Sequence, residues 1–272
     1  MKSSLHLKSS IKSIAIGSFD GIHLAHQELI KRAEAVVVIE RGVATLTPGW
    51  RRSIYTKKAT FFYMLNKIKH LTPKEFILKL ESNFPKLEKI VVGYDFHFGK
   101  DKSGTIELLK REFSKKVEIV QEVKYNGISI HSRVIRELIK NNNITLANNL
   151  LGRLYRVDAE HIRGQGIGSK ELVATINLKT LQYTLPVGVF AVFATINNIK
   201  YRAVSFLGHR VSTDGNLAFE VHILDTFNED IKGRVWVEFI DFIREVKKFK
   251  SLPELKEQIL KDEEVANLLF KG

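Results

Sequence analysis

The stretch Ile14-Ala15-Ile16-Gly17-Ser18-Phe19-Asp20-Gly21-Ile22-His23-Leu24-Ala25-His26-Gln27 sets an apolar run against a glycine-flanked turn and two histidines three residues apart. Leu24, Leu29, Ile30 and Ala33 continue it at helical spacing, so the segment predicts a strand, a tight turn and a helix. The first amides of such a helix have no partner inside it and point, with the positive end of the helix dipole, at whatever lies above the turn. An anion fits there. Gly17 and Gly21 let the backbone of the Ser18-Phe19-Asp20 turn come close to it. His23 and His26 share one helix face, so both imidazoles reach a single phosphate and can stabilise charge developing on an α-phosphate under attack. The pattern points to nucleotidyl transfer; its structural alternative is a strand–turn–helix carrying two surface histidines.

Outward from this turn, the first half alternates strand and helix. Strands are predicted at Ser13–Gly17, Ala35–Ile39, Lys89–Gly93 and Val117–Gln121, and helices at Leu24–Glu34, Ala59–Leu65, Pro73–Leu80 and Thr105–Phe113. Such alternation predicts an α/β domain with a parallel, Rossmann-like sheet, whose ligands sit at the carboxyl ends of the strands. From about Arg153 the texture changes to period-two segments at Tyr155–Ile162, Val189–Thr195, Tyr201–Leu207, Ala218–Leu224 and Val235–Ile240, with Asn197-Asn198 as a tight hairpin turn and a helix at Leu252–Lys261. These predict a small antiparallel β-barrel with a C-terminal helix.

The 272 residues, 44% of them hydrophobic, suffice for two domain cores. The absence of cysteine rules out disulfides and thiolate catalysis, and it suits a cytoplasmic protein. Met1 to Ser10 lacks the apolar core of a signal peptide, and the longest apolar run, Leu185 to Ile196, is too short to span a bilayer and is broken by Pro186 and Gly188. A formal net charge of +13 attracts polyanions, and a nucleotide is an anion as surely as a nucleic acid is. The lysines are dispersed, as in Lys57-Lys58, Lys115-Lys116 and Lys247-Lys248, with no arginine-rich helix or aromatic stripe, which argues against a nucleic-acid partner. Nothing in the sequence specifies an oligomeric state.

The opening string resembles the G-x-F-D-G-x-H-x-G-H signature of the bacterial bifunctional riboflavin kinase/FMN adenylyltransferase (FAD synthetase) family, within the HxGH nucleotidyltransferases, with Ala25 in place of a glycine. The likeness recurs in order. Val92-Gly93-Tyr94-Asp95-Phe96-His97-Phe98-Gly99 is similar to the family's V-G-x-D-F-R-F-G. Ile130-His131-Ser132-Arg133-Val134-Ile135-Arg136 is similar to I-S-S-T-x-I-R, with His131 and Arg133 as departures, and Leu150-Leu151-Gly152-Arg153-Leu154-Tyr155 to the L-L-G-R-P-Y joint. Between Glu40 and Lys58 only Thr47-Pro48 matches the family's F-D-P-H-P element. In the second half, Arg163-Gly164-Gln165-Gly166-Ile167-Gly168-Ser169-Lys170 resembles the glycine-rich segment of the kinase module, and Ala174-Thr175-Ile176-Asn177 stands where the family has P-T-A-N. Glu220-Val221-His222-Ile223-Leu224-Asp225, then Arg244-Glu245 before Lys248-Phe249, match E-x-H-x-x-D and R-E-x-K-F in spacing; Lys232 and Val211-Ser212-Thr213 depart.

The resemblance implies an adenylyltransferase domain at 1–152 and a riboflavin kinase domain at 153–272. It implies ATP, riboflavin and FMN as small-molecule substrates, flavins as both substrate and product, and Mg²⁺ bound with ATP. In the first domain it implies that His23, His26 and Arg136 act on the phosphates, while Gly17, Ser18, Phe19, Asp20, Gly21, Asp95, Phe98 and Ser132 surround the nucleotide. In the second, Gly164, Gly166, Gly168 and Lys170 wrap phosphates with backbone amides and charge. Thr175 and Asn177 ligate Mg²⁺ through oxygen, as a hard cation requires. Arg244 and Phe249 meet the flavin. Glu220 is the implied base, on an inner polar face of its strand, opposite in direction to Phe219, Val221 and Ile223. Two other readings stand beside this one: a chain retaining only one of the two activities, and a non-catalytic flavin-, nucleotide- or RNA-binding protein.

Overall fold

The computed structural model describes residues 7–162, 175–180, 182–209, 217–227 and 230–271. It forms two compact units, Met1–Ser132 and Arg133–Gly272.

In the first unit, β1 (Ser13–Gly17), β2 (Ala35–Glu40), β3 (Ala59–Met64), β4 (Lys89–Gly93) and β5 (Lys116–Val120) form a parallel sheet in the order β3-β2-β1-β4-β5. Its central strands are apolar on both faces because both are covered. Ile14, Ile16, Val37, Ile90 and Val92 pack on one side with Phe76, Ile77 and Leu80 of helix α4 (Pro73–Asn83) and Leu109 of α5 (Ile106–Glu112). Ala15, Val36, Val38 and Val91 pack on the other with Leu29 and Ile30 of α1 (Leu24–Lys31). The numbers α2 and α3 denote the short helices Arg52–Thr56 and Leu65–Ile68. Helix α4 starts at a capping box, in which Thr72 accepts from the Glu75 amide while Glu75 accepts from the Thr72 amide. A two-stranded antiparallel ribbon, β6 (Lys124–Tyr125) with β7 (Ile128–Ser129), comes after β5.

One predicted element changes type. Ala59–Leu65, expected as helix, is the edge strand β3, paired in parallel with β2 from Ala35 opposite Ala59 to Glu40 opposite Met64. Seven residues hold too few turns for periodicity to decide, and the Phe61-Phe62-Tyr63 aromatics favour a pleated surface. Phe61 and Tyr63 alternate onto the α4 side of the sheet, while Phe62 faces α1.

In the second unit, helices α6 (Ser132–Lys140) and α7 (Ile144–Leu151) precede six strands: β8 (Tyr155–Ile162), β9 (Ile176–Lys179), β10 (Gly188–Ile196), β11 (Ile199–His209), β12 (Leu217–Ile223) and β13 (Arg234–Arg244). They close an antiparallel barrel of order β10-β11-β12-β9-β8-β13. The units divide after Ser132, whereas the joint motif lies at the end of α7, where Gly152 caps the helix at φ 68°. Helix α7 goes with the barrel because the Asn148 amide donates to the carbonyl of Phe239 at 2.9 Å and its side-chain oxygen accepts from the Tyr155 amide at 2.7 Å. The Asn197-Asn198 turn is as expected: both residues have positive φ and join β10 to β11 between the paired Ile196 and Ile199. Helix α8 (Leu252–Leu269) lies on the outside of the barrel, its Ala266 packed with Val189, Ala191 and Val204.

Candidate active sites

The strand order of the first unit places the reversal of winding at β1 and β4, where an open α/β sheet makes its crevice. A cleft of about 650 Å³ lies there, lined by the turn after β1 and the 94–99 loop after β4. His23, the N-cap of α1, accepts the His26 amide on Nδ1 at 3.3 Å. The two imidazoles are stacked with centroids 3.5 Å apart, at the helix end whose amides carry partial positive charge. Gly17, Ser18, Phe19, Asp95, Phe98 and Ser132 also line the cleft. Tyr94 and His131, to which the motifs give no role, face each other at its edge, the Tyr94 hydroxyl 3.4 Å from His131 Nε2. Burial and the neighbouring Glu122 and Asp95 carboxylates raise the Tyr94 hydroxyl above its ordinary pKa.

Phe19 and Phe98 reach the cleft from the core, while Asp20 and Gly21 shape the turn behind it. Phe19 is fully buried, with its ring 3.3 Å from where a Cβ on Gly17 would stand, and it meets the His26 ring edge-on at 5.2 Å. Phe98 is buried in the sheet core against Phe76 and Phe96. Asp20, expected to face the nucleotide, is instead 6% exposed and accepts the amides of Thr45 at 3.1 Å and of Leu46 and Thr47 at 2.9 Å. Gly21 is not among the cleft residues and gives the turn its positive φ of 92°. Phe19 and Ile22 also have positive φ, 52° and 44°, a conformation that costs about 1–2 kcal/mol for a side-chain-bearing residue. The cost is offset by burying both side chains completely.

The segment that departs from the family pattern supplies a residue that no motif marks. Arg52, at the start of α2, is 1% exposed and ion-paired with Glu40. Its Nη1 donates to the Ser18 carbonyl at 2.7 Å and its Nε to that of Gly49 at 3.1 Å. Burial lowers the Arg52 pKa and nearby Asp20 opposes that shift. No local pattern announces a buried arginine, because two of its partners, Ser18 and Glu40, lie 34 and 12 residues away in the sequence.

In the second unit, Glu220 on β12 stands directly opposite Asn177 on β9. Residues so paired have Cβ atoms about 5 Å apart on the same face of the sheet, so two predicted kinase residues meet across strands. Phe219 and Val221 point into the barrel, which places Glu220 on its outer face and not on the inner face expected. The barrel is filled by apolar side chains, and polar chemistry is left to its outside. Arg244 donates to both oxygens of the nearly buried Asp262 carboxylate on α8, at 2.7 to 3.1 Å, and lies over the Phe249 ring at 5.7 Å. His222 Nε2 lies 3.3 Å from Glu263 on the same helix. Thr175 is exposed at the entry to β9. Gly164, Gly166, Gly168 and Lys170, and the departure at Val211-Ser212-Thr213, lie outside the described residues. Arg136 lies on α6, half-buried, in the second unit. Among the described residues, no group of three histidine or acidic side chains forms a metal-binding cluster, and no helix is long and apolar enough to cross a membrane.

A riboflavin kinase family model matches residues 151–270 and an FAD synthetase model residues 54–134, the latter starting after the histidine turn. Among curated proteins, the bifunctional riboflavin kinase/FMN adenylyltransferase of Buchnera aphidicola is 31% identical, covering 92% of this chain and 90% of its own. Those of Haemophilus influenzae and Escherichia coli K12 are 29% and 28% identical over 96% and 94% of this chain, and 94% and 92% of theirs. A solved Streptococcus pneumoniae structure named as a macrolide-efflux protein superposes with a TM-score of 0.83 at 30% identity, covering 96% of each chain. With a parallel-sheet unit and a barrel unit in this order, and with relatives matching along nearly its whole length, the chain belongs to the bifunctional riboflavin kinase/FMN adenylyltransferase family.

Proposed function

We propose that the chain makes FAD from riboflavin in two ATP-dependent steps, one on each unit, in the cytoplasm. The observation that carries this reading is that each unit presents reactive side chains suited to one step: the stacked His23–His26 pair at a helix N-terminus, and the Glu220–Asn177 cross-strand pair.

In the barrel unit, Glu220 takes the proton from the 5′-hydroxyl of the ribityl chain as that oxygen bonds to the γ-phosphorus of ATP and ADP leaves. Arg244 and Phe249, fixed by Asp262, hold the flavin. Thr175 and Asn177 are neutral oxygen donors beside the carboxylate, a set that fits Mg²⁺, which keeps most of its coordination for phosphates and water. Bound with ATP, Mg²⁺ neutralises phosphate charge. The resemblance assigns phosphate contacts to Gly164, Gly166, Gly168 and Lys170, which lie outside the described residues.

In the sheet unit, a phosphate oxygen of FMN attacks the α-phosphorus of ATP and pyrophosphate leaves. His23 and His26, together with the α1 amides, stabilise the charge on the α-phosphoryl oxygens. Asp95 borders the nucleotide, and the resemblance assigns Arg136 to further phosphate oxygens. Incubation of the wild-type chain with riboflavin, ATP and Mg²⁺, followed by chromatography of the flavins, yields FMN first and FAD later on this account. FMN without FAD, or no conversion unless FMN is supplied, would show a single activity.

A further inference from the structure

We propose that Arg52 is a positioning residue for adenylyl transfer, acting by holding the backbone of the turn that presents His23 and His26; the proposal rests on the function assigned to that turn above. Arg52 gathers three neighbours with one planar fork. It meets the carboxylate of Glu40 at the end of β2, the Ser18 carbonyl at 2.7 Å and the Gly49 carbonyl at 3.1 Å. Its guanidinium also lies 5.6 Å from the centre of the Phe62 ring on β3. At 1% exposure it has no water to replace these partners.

Ser18 opens the turn, and the backbone beyond it is strained: Phe19 and Ile22 both hold positive φ. Strained backbone persists only where the surroundings over-determine it. Here the turn is gripped at successive points. Arg52 holds the Ser18 carbonyl, the Ser132 hydroxyl donates to the Asp20 carbonyl at 2.7 Å, and the Asp20 carboxylate binds the 45–47 amides. Those amides and Arg52 belong to the same short segment between β2 and β3. The segment is therefore a brace for the histidine turn, and Arg52 ties it to the sheet through Glu40.

Loss of the brace lets the turn relax and shifts both imidazoles, and small misplacement of reacting groups costs about 100-fold in rate. Arg52→Ala in the full chain is expected to lower kcat for FMN adenylylation by about that factor, with a much smaller change in KM for ATP and none in riboflavin phosphorylation. Added guanidinium ion restores part of the rate, while ammonium at equal ionic strength does not, because only the planar fork serves several acceptors. Arg52→Ala leaves the Glu40 carboxylate, 10% exposed, without its countercharge, so Glu40→Gln/Arg52→Met is made in parallel to remove both charges; it keeps the kinase rate and also loses adenylylation. The ring resonances of His23 and His26 shift in both variants. Wild-type adenylylation by the folded double variant, equal loss of both activities, or unmoved histidine resonances would overturn the proposal. If the wild-type chain itself failed to adenylylate FMN, the functional reading would fall, and the histidine resonances would still decide whether Arg52 sets the turn.

Discussion

Asp20 and Glu220 are both carboxylates quoted from strong motifs, and they do different work. Asp20 is enclosed and satisfies three backbone amides of the 45–47 segment. Asp20→Ala strands those amides, and a buried donor left unpaired costs about 1–3 kcal/mol. Calorimetry is expected to show a lowered unfolding temperature, with adenylylation of FMN impaired and phosphorylation of riboflavin retained. Glu220 is half-buried on the barrel's outer face, and the hydroxyl of Ser205 donates to its main-chain oxygen, which any side chain preserves. Glu220→Gln, which keeps the side chain's size and shape, should leave a folded chain in which riboflavin phosphorylation falls about 10²–10⁴-fold, the usual contribution of a general base. Residue type and spacing made both positions legible. Their surroundings were not, because the 45–47 amides lie some 25 residues from Asp20 in sequence and Asn177 reaches Glu220 only through barrel closure.

At the scale of elements, periodicity worked where it was long and failed where it was short. The period-two runs after Arg153 became barrel strands, because one face fills the barrel and the other stays outside. The 59–65 stretch became an edge strand because pairing with β2 decided what seven residues could not. The hairpin at Asn197-Asn198 offers a test of how much a turn owes to backbone and how much to side chain. Asn198 contributes its left-handed backbone, φ 68°, so Asn198→Gly should keep or slightly raise the unfolding temperature. Asn197 also donates to the Asp230 carbonyl at 2.9 Å and accepts from the Lys232 amide at 3.0 Å. Asn197→Gly should therefore cost about 1 kcal/mol for each lost bond, read as a lower denaturation midpoint.

For the whole molecule, the order of two units was readable because each carries its own motifs: histidines where a parallel sheet opens a helix, and Asn177 and Glu220 on the strands of a barrel with Thr175 just before one. Arg52 was not readable, since a brace is defined by what it touches. The residues proposed to hold Mg²⁺, Thr175 and Asn177, belong to the second unit. Chelation of Mg²⁺ is expected to stop riboflavin phosphorylation reversibly, and Asn177→Ala to raise the Mg²⁺ concentration needed for half-maximal phosphorylation without changing that for adenylylation of supplied FMN. The central claim is that each unit performs one step. The most direct measurement is chromatography of the flavins formed by Glu220→Gln and by His26→Ala, each given riboflavin and, separately, FMN, with ATP and Mg²⁺. The account predicts that Glu220→Gln leaves riboflavin unconverted yet makes FAD from FMN, and that His26→Ala turns riboflavin into FMN and stops there. FAD formed from riboflavin at the wild-type rate by both variants would contradict it.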